Sequence, residues 1–119
     1  MKFCDFYLGK KPVARKIKYC GTFGSKLLGL MFISSPGHGA FLPDVNEIHM
    51  AFVRFKLRII WLDKNFKVIK QVIAVPWGPY YGETHDSKHV LELPIDNKVK
   101  IKIGDNLKIK IYDGKEAKK

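Results

Sequence analysis

The 119-residue chain carries 22 Lys and Arg against 11 Asp and Glu, a formal net charge of +11, with 46% hydrophobic residues and two cysteines. That size gives one domain with room for a core, and the hydrophobic content excludes intrinsic disorder. Two cysteines exclude a disulfide scaffold and a four-cysteine zinc site, and no apolar run is long enough for a membrane-spanning helix.

Residues 3–8 read as a first strand, ended by Gly9-Lys10-Lys11-Pro12. Val13, Arg15, Ile17 and Tyr19 then alternate with Ala14, Lys16, Lys18 and Cys20, the period-two spacing of a second strand. The pattern changes at Ser25, which is suited to cap a short helix with Leu27, Leu28 and Met31 on one side. Gly29 inside that stretch limits it to about two turns. Ser34-Ser35-Pro36-Gly37-His38-Gly39 ends it as a loop. Residues 51–62 are rich in Phe, Val, Ile and Trp. Asp63-Lys64-Asn65 supplies turn chemistry, and residues 66–75 return as another β-branched run.

The segment from Pro76 to Gly82, with Trp77, Tyr80 and Tyr81, is a rigid aromatic loop. Residues 90–93 form a short strand stopped by Pro94. Val99, Ile101 and Ile103 alternate with Lys98, Lys100 and Lys102. After a turn at Gly104-Asp105-Asn106, Leu107, Ile109 and Ile111 alternate with Lys108 and Lys110. This predicts an antiparallel hairpin with one buried and one wet face. The expected fold is mostly β with minor helix (α+β). It is an antiparallel or mixed sheet curled into a barrel or sandwich, with one or two short helices. Residues 1–112 form the single domain and 113–119 a polar tail.

The basic balance permits nucleic acid or acidic partners without requiring them. Of the 22 cations only Arg15, Arg54 and Arg58 are arginine, the residue that specific readers of phosphate and base edges favour. A lysine-rich surface also matches an archaeal or thermophile-like composition. Lys98, Lys100, Lys102, Lys108 and Lys110 would line one hairpin face, either as a stripe for a phosphate backbone or as protection of an exposed sheet edge. Met1-Lys2-Phe3-Cys4-Asp5 shows no apolar leader core, so the expected location is the cytoplasm. Cys4 and Cys20 are then expected as reduced, core-packed thiols, with a disulfide between them as the alternative.

Four polar or amphipathic residues stand inside apolar surroundings: His49, Arg54, Trp77 and Glu92. Leu91 and Leu93 share one strand face, which turns Glu92 to the other. Arg54 and Glu92 match by sign, and His49 titrates near neutral pH when placed beside them. With Trp77 they would line a pocket for a small anionic or cyclic ligand. The competing reading is an internal salt link and a satisfied core histidine. His85 and His89 have i, i+4 spacing, but no third ligand follows, so no metal and no cofactor are expected. A nucleophile elbow and a paired acid and base are both absent. The expectation is a non-catalytic binding module, monomeric or weakly dimeric. Nucleic-acid binding through the lysine faces is the alternative and a small-substrate enzyme the third reading.

Several pieces occur in one order: Gly29-Leu30-Met31, Ile48-His49-Met50, Phe52-Val53-Arg54-Phe55, Trp61-Leu62-Asp63, Pro76-Trp77, Val90-Leu91-Glu92-Leu93-Pro94 and Gly104-Asp105. This order resembles the domain-of-unknown-function family numbered one-nine-two over nearly the whole chain. The resemblance implies a mostly β domain with minor helix, and no substrate, cofactor or reaction. Relatives usually follow the arginine-phenylalanine pair with proline, an aliphatic residue and aspartate. Here Lys56-Leu57-Arg58 stands there, so a base replaces the acid. The glycine usual after Leu-Glu-Leu-Pro is replaced within Ile95-Asp96-Asn97.

Overall fold

The computed structural model describes residues 2–21, 37–45, 55–76 and 86–114, which hold seven strands. β1 (Lys2–Leu8) and β2 (Lys11–Tyr19) form a hairpin across Gly9, whose φ of +65° suits glycine. The alternation expected along β2 is broken. Val13 and Ala14 are both buried, Arg15 and Lys16 both exposed, and Ile17 buried. The cause is a bulge: pairing passes from Cys4 with Ile17 to Phe6 with Ala14, so Asp5 faces two residues. Lys16 takes a left-handed φ of 57° there. The buried Asp5 carboxylate holds it by accepting the Lys16 amide at 2.9 Å, and also accepts the Tyr112 hydroxyl at 2.9 Å. Arg15 stands 3.7 Å away, so this buried charge is compensated.

β3 (Ala40–Leu42) has only three residues, too few for periodicity to announce. It runs parallel to β2 and antiparallel to β6 (His89–Pro94). Gly39 makes this possible. At φ +116° any side chain is strained, and a Cβ would collide with the carbonyl oxygen of Glu92. β4 (Leu57–Leu62) and β5 (Val68–Ala74) pair across Asp63-Lys64-Asn65, where the Asp63 carboxylate accepts the amides of Asn65 and Lys67 at 2.8 and 2.9 Å. β6 lies between β4 and β3 and is buried along its whole length. β7 (Lys108–Asp113) reaches one residue into the expected tail and pairs with β1 through six rungs.

Among the described residues the strand order is β5-β4-β6-β3-β2-β1-β7, a mixed sheet with two ends, so these ladders do not close a barrel. The predicted terminal hairpin is also corrected. Residues 97–107 leave the sheet and dock beside the start of β5. Gly104 donates to the Val68 carbonyl at 2.7 Å, the Val68 amide to Asp105 at 2.8 Å, and Leu107 to Phe66 at 2.9 Å. Ile101 and Leu107 are buried by this docking, whereas Ile103 is 60% and Ile111 45% exposed. The alternation was real, but period two does not name the partner strand, and β1 offered β7 the longer ladder. The predicted helix at Ser25 to Met31 lies outside the described residues. No helix among those described is long and apolar enough to cross a membrane.

Two apolar clusters result. One gathers Phe6, Ile17, Phe41, Ile60, Leu62, Leu91 and Leu93. The other gathers Cys20, Ala40, Leu57, Ile59, Trp61 and Val90. β4 and β6 feed both, because successive residues of a strand point to opposite faces. Each fully buried Leu, Ile or Phe contributes about 1.5–3 kcal/mol.

Candidate functional site

Glu92 sits mid-strand in β6. Its rung partners are Ala40 on β3 and Ile59 on β4, so it shares their face and stands within the second apolar cluster. It is 7% exposed, and its Oε1 has no hydrogen-bond partner among the described residues. Burial pushes its carboxyl up from the ordinary 4.5 to about 7, because the charged form loses its water. Near neutral pH the group is therefore divided between a proton donor and a carboxylate.

Cys20 belongs to the same cluster. Burial pushes its thiol up to about 11; Lys18 works against this and the Glu92 charge adds to it. Its sulfur lies 3.9 Å from the Lys18 carbonyl. Cys4 and Cys20 are both free, as the sequence led us to expect. Burial, then the charges of Asp5 and Cys20, raise the Cys4 thiol to about 12.

Of the four residues singled out from sequence, the described residues include Glu92; His49, Arg54 and Trp77 lie outside them. The prediction that Glu92 turns away from Leu91 and Leu93 holds, but the face it turns to is apolar and buried. The five lysines do not share one hairpin face. Lys108 and Lys110 lie on β7, while Lys98, Lys100 and Lys102 lie in the docked segment, all five exposed. Of the histidine pair, His85 lies outside the described residues. The buried His89 ring packs on Phe66 and Phe41, at 4.8 and 5.6 Å between centroids, and its Nδ1 accepts the Asp44 amide at 3.1 Å. Among the described residues no three His, Cys, Asp or Glu could hold a metal.

Two groups escaped the sequence reading as site residues. Asp5 carried no signal beyond an acid between two apolar residues, Cys4 and Phe6. Arg58 did carry one: a base between the apolar Leu57 and Ile59.

The DUF192 family model, described as "Uncharacterized ACR", matches residues 8–109. A UPF0127 protein of Pyrococcus furiosus is 24% identical over 104 residues, spanning 82% of this chain and 89% of that protein. Among solved structures, a protein of unknown function from Novosphingobium aromaticivorans superposes with a TM-score of 0.73 at 21% identity, covering 88% of this chain and 82% of that one. A putative transcription regulator from Sinorhizobium meliloti gives 0.74 at 15% identity, with 91% and 93% covered. At these identities the two structures are similar to this chain in fold.

Proposed function

The chain belongs to the DUF192 family, and on that premise we propose that it is a non-catalytic binding module in which Glu92 is the recognition group. The observation that carries this is the unpartnered Oε1 of a buried carboxyl among apolar side chains. Such a group adds no stability to a fold, since an apolar residue of similar volume there is commonly neutral or stabilising. In place of the anionic ligand expected from the sequence, which a buried carboxylate would repel, a small cyclic ligand with one N–H donor or ammonium supplies what Glu92 lacks. His49 and Trp77 are the proposed remaining contacts, with Arg54 in the same pocket but turned from the ligand's cationic group. Among the described residues this cluster offers one other titratable group. The Cys20 thiol, held near 11, is not a nucleophile at neutral pH.

Benzylammonium is the simplest probe with that chemistry, and benzoate is its control of opposite charge. Titrating isotope-labelled protein with benzylammonium should shift the Ala40 and Glu92 amide signals saturably. The shifts should vanish in Glu92→Gln, and benzoate should produce none. Wild-type protein that shows no saturable response to the ammonium overturns the reading.

A second reading, nucleic-acid binding, draws on the net charge of +11 and on the exposure of Lys98, Lys100, Lys102, Lys108 and Lys110. Labelled DNA and RNA titrated at two salt concentrations test it. Backbone contacts strengthen at low salt, so an absence of binding there removes it. In either case we place the protein in the cytoplasm as a monomer or weak dimer.

A further inference from the structure

We infer that Arg58, Lys98 and Lys100 form a phosphoryl-binding site on the face of the sheet opposite Glu92. The two faces follow from the ladder. Ile59 is the rung partner of Glu92, and Arg58, its neighbour in β4, pairs instead with Leu93 on β6 and Ile73 on β5. This site does not rest on the Glu92 reading.

The Arg58 guanidinium is aimed before any ligand arrives. One terminal nitrogen donates to the Asn97 carbonyl at 2.9 Å and the other to Gln71 Oε1 at 3.4 Å. Both anchors are themselves held. Gln71 donates to the Ile101 carbonyl at 2.7 Å. The Asn97 side chain donates to the Val13 carbonyl at 3.1 Å and accepts the Val99 amide at 3.1 Å. A guanidinium has five N–H donors and these contacts use two, so three remain for another acceptor. Among the described residues no carboxylate pairs with Arg58. Burial of this half-buried cation lowers its pKa, the mark of a charge that has lost water without gaining a counter-charge. It stays protonated all the same.

Arg58 lines an open groove of about 320 Å³, together with Lys98 and Lys100. Among the described residues no acidic one lines it. Asp96, the nearest acid in sequence, is exposed and outside the lining. Three cationic residues therefore border one groove, none of them in an ion pair among the described residues, and the Arg58 and Gln71 bonds fix the segment that carries the two lysines. A planar fork flanked by two mobile ammonium groups fits a tetrahedral, multiply charged oxyanion. A lone carboxylate would satisfy the fork and leave both lysines idle. The ligand chemistry is thus a phosphoryl or pyrophosphoryl group, carried by a small phosphorylated molecule or by a nucleic-acid backbone.

Calorimetric titration with inorganic pyrophosphate at constant ionic strength tests the site, with acetate as the control. We expect 1:1 saturable binding, absent for acetate. The double variant Lys98→Ala/Lys100→Ala should bind about tenfold more weakly or worse, with an unchanged unfolding midpoint, because both side chains are exposed. Arg58→Lys keeps the charge and loses the fork, and should also weaken binding. If Arg58 only ties down residues 97–101, the double lysine variant binds like wild type, and the inference fails. It fails too if pyrophosphate does not saturate by about 10 mM, a bound set by the weakest affinity worth calling a site. Adenosine diphosphate and a short single-stranded RNA separate the two sources. Binding of the diphosphate with the affinity of pyrophosphate assigns the site to small phosphorylated molecules. RNA binding without pyrophosphate binding overturns the discrete site in favour of diffuse charge.

Discussion

Replacing Glu92 by Gln removes a titration and nearly nothing of the shape, so it isolates what the buried carboxyl does to stability. Below pH 4.5 the folded and unfolded chains both hold the proton, and the folded state is at its most favoured. Between 4.5 and about 7 the unfolded chain releases the proton while the folded chain keeps it. Unfolding is therefore helped progressively as pH rises through that window, and above about 7 the loss is complete. The separation of the two values corresponds to about 3 kcal/mol. Glu92 is 7% exposed, so solvent screening removes little of this. Urea unfolding of wild type and variant in steps from pH 4 to 8 measures it as a difference. Common contributions, including those of the histidines, cancel in that difference. The wild type should lose about 3 kcal/mol relative to Glu92→Gln across the window, whatever constant offset the amide introduces. Parallel curves for the two proteins would show that the carboxyl is solvated or paired, and the argument for Glu92 as a recognition group would fall with them.

Gly39→Ala should cost about 2–4 kcal/mol, because it adds a strained φ of +116° to a collision with the Glu92 carbonyl; the shift of the urea midpoint checks it. The thiols should be inert in the native state. With values near 12 and 11 against an ordinary 9.0, a thiolate reagent at pH 8 should react about a thousandfold more slowly at Cys4, and a hundredfold at Cys20, than with the unfolded chain. Prompt labelling without denaturant contradicts that.

Much of the sheet was legible because its strands are long or strongly patterned. β1, β2, β5 and β6 fall where apolar spacing and turn residues place them, and Asp63-Lys64-Asn65 turns the chain through the Asp63 carboxylate. What escaped depends on partners distant in sequence. The bulge at Lys16 comes from Asp5, eleven residues away, and spoils a clean alternation. The lysine hairpin did not form, because β7 found β1 across the length of the chain. Glu92 was found from its apolar neighbours, yet periodicity could not show that its face is also buried. That fact depends on β3 and β4 lying on either side of it. Arg58 was visible as a base out of place, but the contacts that aim it come from Gln71 and Asn97, which no local pattern joins.

The alternation of β6 has a consequence for folding itself. Leu91 and Leu93 supply one cluster, and Glu92 stands between them on the other face. Sliding the strand by a single residue against β4 would swap those roles and drive the carboxyl into the space the leucines fill. The carboxyl is buried among apolar side chains in either alignment, so the discrimination comes from size: two leucines would have to enter the face that Ala40 and Ile59 share with Glu92. The leucine pair thus works as a key cut for one alignment, discouraging off-by-one traps while the central strands zip together.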